Sequence, residues 1–522
     1  MHAAGVSYAS GMYAVVHSAT PTALHAAAVQ VEVLLAPGLP SFTIVGLPGS
    51  AVQESRERIR AAFRHLGVAL PPKRITVNLA PANLPKAGPQ LDFALAIALL
   101  TALGVVPQQA VAGWLCAGEL SLAGELQPLQ HAVSYGALAR ELQLPLLVPQ
   151  RGAALAASVP GVRVYGATSL GQAAEFLRGE INLVRATGPA PAARGNRFSH
   201  LSLADVRGQA QAKRALTIAA AGRHHMLLIG PPGVGKTMLA ERLVGLRPPL
   251  SVAEALTVRR IHDAFRPSNA AVINTTPPVR APHHASTVAG MFGSTRGTRF
   301  APGEISLAHH GVLILDEFPL FSRAVREALR EPLETGAVHL ARQAGTIALP
   351  ANTQVIFTAN PCPCGYLTSD QAAKCACTPA EIRRYQQALS GPLLDRIDII
   401  VPLTERTLLA DAEDANASET ENLGPHAQKH SIIASQRMIA RQAAPNGALT
   451  GAALEVHCSL EEQGAVLLHQ LASSLRLSAR RQDAIRRVAR TIADLEAAPV
   501  ITARHVAEAA SYRHIDFGVH RN

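Results

Sequence analysis

The segment Gly230-Pro231-Pro232-Gly233-Val234-Gly235-Lys236-Thr237 constrains this chain more than any other. It matches G-x-x-x-x-G-K-[ST], follows the apolar run 226–229 and precedes a helical pattern over 238–246. A phosphate-binding loop needs that context. A buried strand delivers the loop, glycines let backbone N–H groups curl around phosphate oxygens, and the helix start favours the anion. Lys236 is expected to reach the β- and γ-phosphates, and Thr237 to hold Mg²⁺. Such a strand–loop–helix unit predicts a parallel sheet covered on both faces.

Two further apolar runs end in polar side chains. The run 312–315 is followed by Asp316 and Glu317, expected to position Mg²⁺ and to polarise the attacking water. The run 355–359 ends in Asn360, which can orient that water opposite Glu317; the plainer reading is a turn-forming Asn before Pro361. Together the motifs predict hydrolysis of a nucleoside triphosphate, with ATP and Mg²⁺ as cofactors.

Hydrophobic residues make up 48% and charged residues 16% of the 522, which excludes a disordered chain. The length allows about two to four domains. The formal net charge of +11 favours a polyanionic partner without requiring one. No basic region precedes the apolar stretch near the start, so no secretory signal is expected. The longest apolar run, 91–106, contains Asp92 and reads as a buried helix rather than a membrane span. Six cysteines, four of them clustered, do not form the pattern of a secreted disulfide framework. The expected compartment is the cytoplasm, with no membrane partner.

The organisation reads as α/β and multidomain. Residues 1–185 mix helices with strands, among them 29–35, 42–45 and 75–79, and a hairpin is expected over 113–128 around Ala123-Gly124. Ser50 and Gln53 form a capping-box pattern at a helix start, and Gly67 follows that helix. Residues 186–200 are a Gly-, Pro- and Ala-rich linker. Residues 201–405 alternate buried strands with helices, 406–430 form an acidic loop, and 431–522 are helical. No internal repeat is evident.

At Gly391-Pro392-Leu393-Leu394-Asp395-Arg396-Ile397-Asp398 the chain resembles the AAA+ class, in the branch of magnesium-chelatase motor subunits and minichromosome-maintenance helicases. The resemblance makes 201–405 an AAA+ core with a parallel sheet and 431–522 a helical lid. It makes Arg396 an arginine finger donated to a neighbouring subunit; the other reading is an ion pair with Asp395 or Asp398 inside the subunit. By the same resemblance Arg480, in Leu477-Ser478-Ala479-Arg480-Arg481, is the sensor-2 arginine, with Arg481 as the rival.

Segments 41–48, 74–81, 302–311 and 360–365 extend the resemblance over all three parts, to the ComM/YifB family of magnesium chelatase-like proteins. It implies a homohexameric ring that drives branch migration on single-stranded or branched DNA, alongside recombination proteins, during natural transformation. The family's N-terminal domain is similar to the Lon protease fold, an α+β unit. Gln90 stands where a Lon-type Ser would be, and Ala132, Val133 and Ser134 occupy the stretch of the catalytic Lys, so this domain is expected to be non-proteolytic.

Residues 338–342 and 346–349 flank Gln343-Ala344-Gly345 and read as a hairpin. In the resembling helicases a hairpin at this place enters the central pore, which makes Arg342 the leading candidate for a phosphate contact; the alternative is an ordinary exposed charge. Arg296 and Arg299, around Gly297, are further candidates for the DNA backbone. His283-His284 lack carboxylate or Cys partners nearby and are not expected to bind metal, and His309-His310 read as structural. Cys362, Cys364, Cys375 and Cys377 suit a tetrahedral structural Zn²⁺, although C-x-C departs from the commoner C-x₂-C; free thiols and disulfides are the other states open to them. Rival functions are a chelatase-type motor that remodels a protein partner, an ATP-dependent peptidase, and a scaffold without hydrolysis.

Overall fold

The computed structural model describes residues 12–86, 88–195, 198, 200–266, 272–296, 299–342, 345–369, 372–389, 391–404 and 423–513; for Arg296, Arg299, Arg342 and residues 423–425 it describes the backbone alone. The expected acidic loop lies mostly outside these residues.

The N-terminal part is built on a seven-stranded mixed sheet. Tyr13–Thr22 and His25–Ala36 form a long antiparallel hairpin with Thr22 opposite His25, and Arg74–Ala80 pairs antiparallel with the second of these strands. Ser41–Val45 is a parallel edge strand, and Leu115–Cys116, Leu146–Pro149 and Val164–Ala167 extend the other side in parallel. Val29, Val31, Val33 and Leu35 alternate inward along one strand, as a half-covered sheet requires. The covering element is Asp92–Ala102, an apolar helix whose 11 residues are all buried.

Residues 226–402 contain a five-stranded parallel sheet in the order Ile399–Pro402, Met226–Ile229, Gln354–Ala359, Val312–Leu315, Val279–Arg280. Met226–Ile229, Val312–Leu315 and Gln354–Ala359 are buried throughout, and strands covered on both faces read as unbroken apolar runs, which is why these three were legible in the sequence; the half-buried Val279–Arg280 and the edge strand Ile399–Pro402 were not. Because all five run the same way, the ends of 226–229, 312–315 and 354–359 emerge on one edge. The C-terminal helices Leu423–Gln442, Gly451–His457, Glu462–Ser474, Ala479–Leu495 and Ala503–Ser511 share one apolar core with the helix Ala210–Gly222, through Ile485, Val488, Ile492, Leu216 and Ile218.

Several expectations change. The helix Ser50–His65 starts from Gly49 with no side-chain cap, so Ser50 lies inside the first turn and the capping box does not form. Over 113–128 there is a turn closed by a single bridge, Leu120 to Leu126, while Leu115–Cys116 joins the parallel sheet. The segment expected as a linker is anchored at one point: Ala192 bridges Asn274, with Ala192 N–H donating to the Ile273 carbonyl at 3.0 Å. Helix Leu423–Gln442 begins before the expected boundary at 430.

His309 sits where the parallel sheet begins and is 6% exposed. Its Nδ1 accepts the Asn352 N–H at 3.0 Å, which requires the neutral ring. Burial and the adjacent His310 lower its pKa to about 3. The unfolded chain therefore takes up this proton first, and the stabilisation, complete above about pH 6.5, declines as pH falls toward 3. His309→Gln retains an acceptor that does not titrate. Between pH 7 and pH 5 the wild type is expected to lose about 2 kcal/mol more stability than this variant. Urea midpoints at the two pH values measure the difference, and equal slopes for both proteins would refute the assignment.

Candidate functional site

The phosphate loop leaves the sheet at Ile229, with the Gly230 N–H held by the Ala359 carbonyl at 3.2 Å. Gly233 and Gly235 adopt φ of +84° and +90°, values that L side chains rarely take, and this folds the loop back over its own strand. The helix Lys236–Leu246 then begins. The Lys236 ammonium donates to the carbonyls of Gly230 and Pro231 at 2.8 Å each, and burial lowers its pKa to about 8. A half-buried ammonium bonded only to neutral carbonyls lies at the mouth of a glycine loop, which fits an incoming polyanion.

The Thr237 hydroxyl donates to the two carboxylate oxygens of Asp316, at 3.1 and 3.0 Å. A hydroxyl and a carboxylate facing one point are the hard oxygen donors that Mg²⁺ takes. Thr358 organises this edge and was not anticipated. Its hydroxyl donates to Asp316 Oδ1 at 2.5 Å and accepts the Glu317 N–H at 2.9 Å. The available signal was a hydroxyl inside the otherwise apolar run 355–359. Glu317 has φ +50°, a left-handed conformation that costs a non-glycine residue about 1–2 kcal/mol and is held by the bond to Thr358. His284 Nδ1 lies 3.8 Å from Glu317 Oε2, so the fold brings a carboxylate to this histidine from 33 residues away, contrary to the expectation that none is near. Asn360 follows Ala359 directly, on the same edge as the loop.

Arg396 and Arg480 lie elsewhere. Arg396 donates to Glu334 at 2.5 Å and to the Pro392 carbonyl at 2.6 Å, and Arg480 reaches the same Glu334 at 2.9 Å. This pairing holds the Glu334 carboxyl below its usual range. The expected alternative, Arg396 paired with Asp395 or Asp398, does not occur, because both carboxylates are engaged by other arginines: Arg481 bonds Asp395 at 2.9 Å and Arg487 bonds Asp398 at 2.7 Å. Arg481, 39% exposed, pairs with Asp395, whereas Arg480, 56% exposed, shares Glu334 with Arg396. Although burial opposes its ionisation, Asp398 is held well below the usual carboxylate range by Arg487 and His224. The cluster borders an open cleft of about 530 Å³ that also contains His225, Gly311 and Gln354, residues at the N-terminal ends of three parallel strands. It is therefore on the opposite edge of the sheet from Lys236 and Asp316, separated by strands of four to six residues, roughly 13–20 Å.

Ala337–Arg342 and Gly345–Pro350 form an antiparallel hairpin with Arg342 opposite Gly345. The insertion before 312–315 contains a second hairpin, Gly293–Arg296 with Arg299–Pro302, in which Arg296 opposes Arg299. The hairpins are joined where Thr295 Oγ1 donates to the Ala341 carbonyl at 3.3 Å. Their tips, residues 297–298 and 343–344, lie outside the described residues, as do the three arginine side chains. The four cysteines converge, with every Sγ within 4.8 Å of the others, and none is in a disulfide. In the N-terminal part Gln90 is buried, and Ser134 donates to the Leu24 carbonyl at 3.1 Å.

Residues 202–410 match the family model described as magnesium chelatase, subunit ChlI; residues 31–151 match subunit ChlI of Mg-chelatase; residues 426–513 match magnesium chelatase, subunit ChlI C-terminal. The competence protein ComM of Haemophilus influenzae is 37% identical over 503 residues, covering 96% of this chain and 97% of that protein. The uncharacterized proteins YifB of Salmonella typhimurium and of Escherichia coli are 39% and 38% identical over 505 and 504 residues, again covering 96% of this chain and 97% of theirs.

Proposed function

Because the chain belongs to the ComM/YifB family of magnesium chelatase-like AAA+ proteins, we propose that it is an ATP-driven ring motor that moves DNA, promoting branch migration during recombination of incoming strands. The observation that carries this reading is the division of one ATPase site between opposite edges of one sheet. Lys236, Thr237, Asp316 and Glu317 converge on one edge, while Arg396 and Arg480 gather on the other. An arginine that cannot reach its own phosphate loop serves a neighbour's, and repeating that head-to-tail relation closes a ring, here read as a homohexamer.

In this reading the loop 230–237 holds the phosphates of ATP, with Thr237 and Asp316 as the Mg²⁺ ligands. When bound, Mg²⁺ neutralises the charge on the β- and γ-phosphates. Glu317 orients and deprotonates the attacking water, with Asn360 beside it. Arg396 and Arg480 stabilise the charge that develops in the adjoining subunit's site. Residues 1–185 are a Lon-like domain without proteolytic chemistry, 201–405 the AAA+ core and 431–522 its helical lid. The adjoining hairpins support a DNA-gripping role for Arg342, with Arg296 and Arg299 next to it. A motor that grips any sequence needs backbone contacts of this kind. No helix among the described residues is long and apolar enough to cross a membrane. A DNA substrate of this kind assigns the chain to the cytoplasm.

A second reading follows from the printed descriptions of the matching family models: a chelatase-type motor that remodels a protein partner. DNA dependence separates the two. Single-stranded or branched DNA is expected to raise the ATPase rate several-fold, and Arg342→Ala to blunt that rise without changing the basal rate. A wild-type rate indifferent to both DNA forms would exclude the DNA motor and favour the protein-remodelling one.

A further inference from the structure

Cys362 and Cys364 directly follow the strand that ends at Ala359, and Cys375 and Cys377 return to them from a short excursion. The Sγ atoms of Cys362 and Cys364 are 3.4 Å apart, those of Cys362 and Cys375 3.8 Å, and those of Cys364 and Cys375 3.5 Å. A disulfide requires about 2.05 Å, so none of these pairs is bonded. Four thiolates at about 2.3 Å from one Zn²⁺ occupy the corners of a tetrahedron whose edge is about 3.8 Å. The observed spacings match that edge and leave no room for several metals between the sulfurs, as an iron–sulfur cluster needs. Backbone N–H groups also approach the sulfurs: those of Gly365 and Leu367 face Cys362, and that of Tyr366 faces Cys364. Such donors stabilise thiolate charge.

This knuckle leans on the phosphate loop. Gly365, at φ +86°, lies so close to the loop that a Cβ there would fall 2.5 Å from Pro232 Cδ, and 3.7 Å from Asn360 Cγ. Gln386 fastens the other side, donating to the Pro361 carbonyl at 3.1 Å. We propose that Cys362, Cys364, Cys375 and Cys377 bind one structural Zn²⁺, and that the resulting thiolate centre presses Gly365 against Pro232, fixing the phosphate loop and Asn360 in register. The metal stands on thiol geometry alone, whereas its effect on nucleotide rests on the ATPase reading.

The test starts with the metal content of the purified full chain. One zinc per chain is expected, released by about four equivalents of a mercurial and lost in the double variant Cys364→Ser with Cys375→Ser. Replacement by Co²⁺ is expected to give the thiolate charge-transfer and tetrahedral bands of a four-sulfur site. Gly365→Ala is expected to keep its zinc yet bind a non-hydrolysable ATP analogue roughly tenfold more weakly. Metal-free native protein whose four thiols titrate freely would overturn the site, and iron in place of zinc would overturn the choice of metal. Full zinc with unchanged analogue affinity in Gly365→Ala would overturn the coupling. A zinc-loaded wild type that binds no ATP would count against the ATPase reading and leave the metal standing.

Discussion

Arg396→Ala is expected to lower ATP turnover by about 10³-fold or more, with the KM for ATP little changed. In the proposed role the guanidinium would act on charge that appears only in the transition state, so its loss would fall on kcat rather than on ground-state binding. The partner Glu334 is 51% exposed, but the Arg396 side chain is only 14% exposed and also bonds the Pro392 carbonyl, so the melting temperature of the variant is to be compared with that of wild type beside turnover. Mixing decides whether the arginine works across subunits. Lys236→Ala disables a subunit's own loop but leaves its arginine intact, and Arg396→Ala does the reverse. Equimolar mixtures of the two nearly inactive variants are expected to recover a measurable share of wild-type turnover. Turnover that stays at the sum of the separate variants would mean that the two halves do not meet across an interface.

Glu317→Gln is expected to reduce turnover by about 10²–10⁴-fold while ATP binding stays at wild-type strength. The amide keeps the size of the side chain but cannot take a proton from water. Its backbone N–H still bonds Thr358 Oγ1, and this contact, not the carboxylate, holds the left-handed turn at φ +50°. Lys236→Ala differs in kind, because it removes the cation that faces the phosphates before reaction and is expected to weaken binding itself. Titration with a fluorescent ATP analogue, run beside steady-state turnover, separates the two variants. A Glu317→Gln protein with near-normal turnover would move the general base to another residue, and His284, 3.8 Å from Glu317, would be the first to test.

Features written in consecutive residues could be read directly. The loop 230–237, the carboxylates after 312–315 and the hairpin over 337–350 each need only their own neighbours in the chain to be recognised. Weaker local signals failed. The strand Tyr13–Thr22 has Val15, Val16, Thr20 and Thr22 but is interrupted by His17, Ser18 and Pro21, and gains its order by pairing along its whole length with His25–Ala36. The Ser50 capping pattern lost to Gly49, because the chain entering that helix is already fixed by the Gly49 N–H donating to the Lys86 carbonyl at 2.9 Å. The reach of the acidic stretch toward 430 was overestimated, since Leu423–Gln442 is helical and packs on Ala210–Gly222.

By itself the sequence determined the phosphate-loop motif, the apolar strands that must be buried on both faces, and the family membership carried by the segments 41–48, 74–81, 302–311 and 360–365, since those depend on side-chain order along short segments. Only the tertiary structure decided which carboxylate each arginine meets. Asp395 and Asp398 flank Arg396 in the chain, yet Arg481 and Arg487 reach them from a helix some 90 residues away, as the separations of 86 and 89 show. That leaves Arg396 and Arg480 together on Glu334, on the edge of the sheet opposite the phosphate loop. Ion pairing depends on which charges meet in space, and helix packing on the far side of the sheet, not proximity in the chain, settles it.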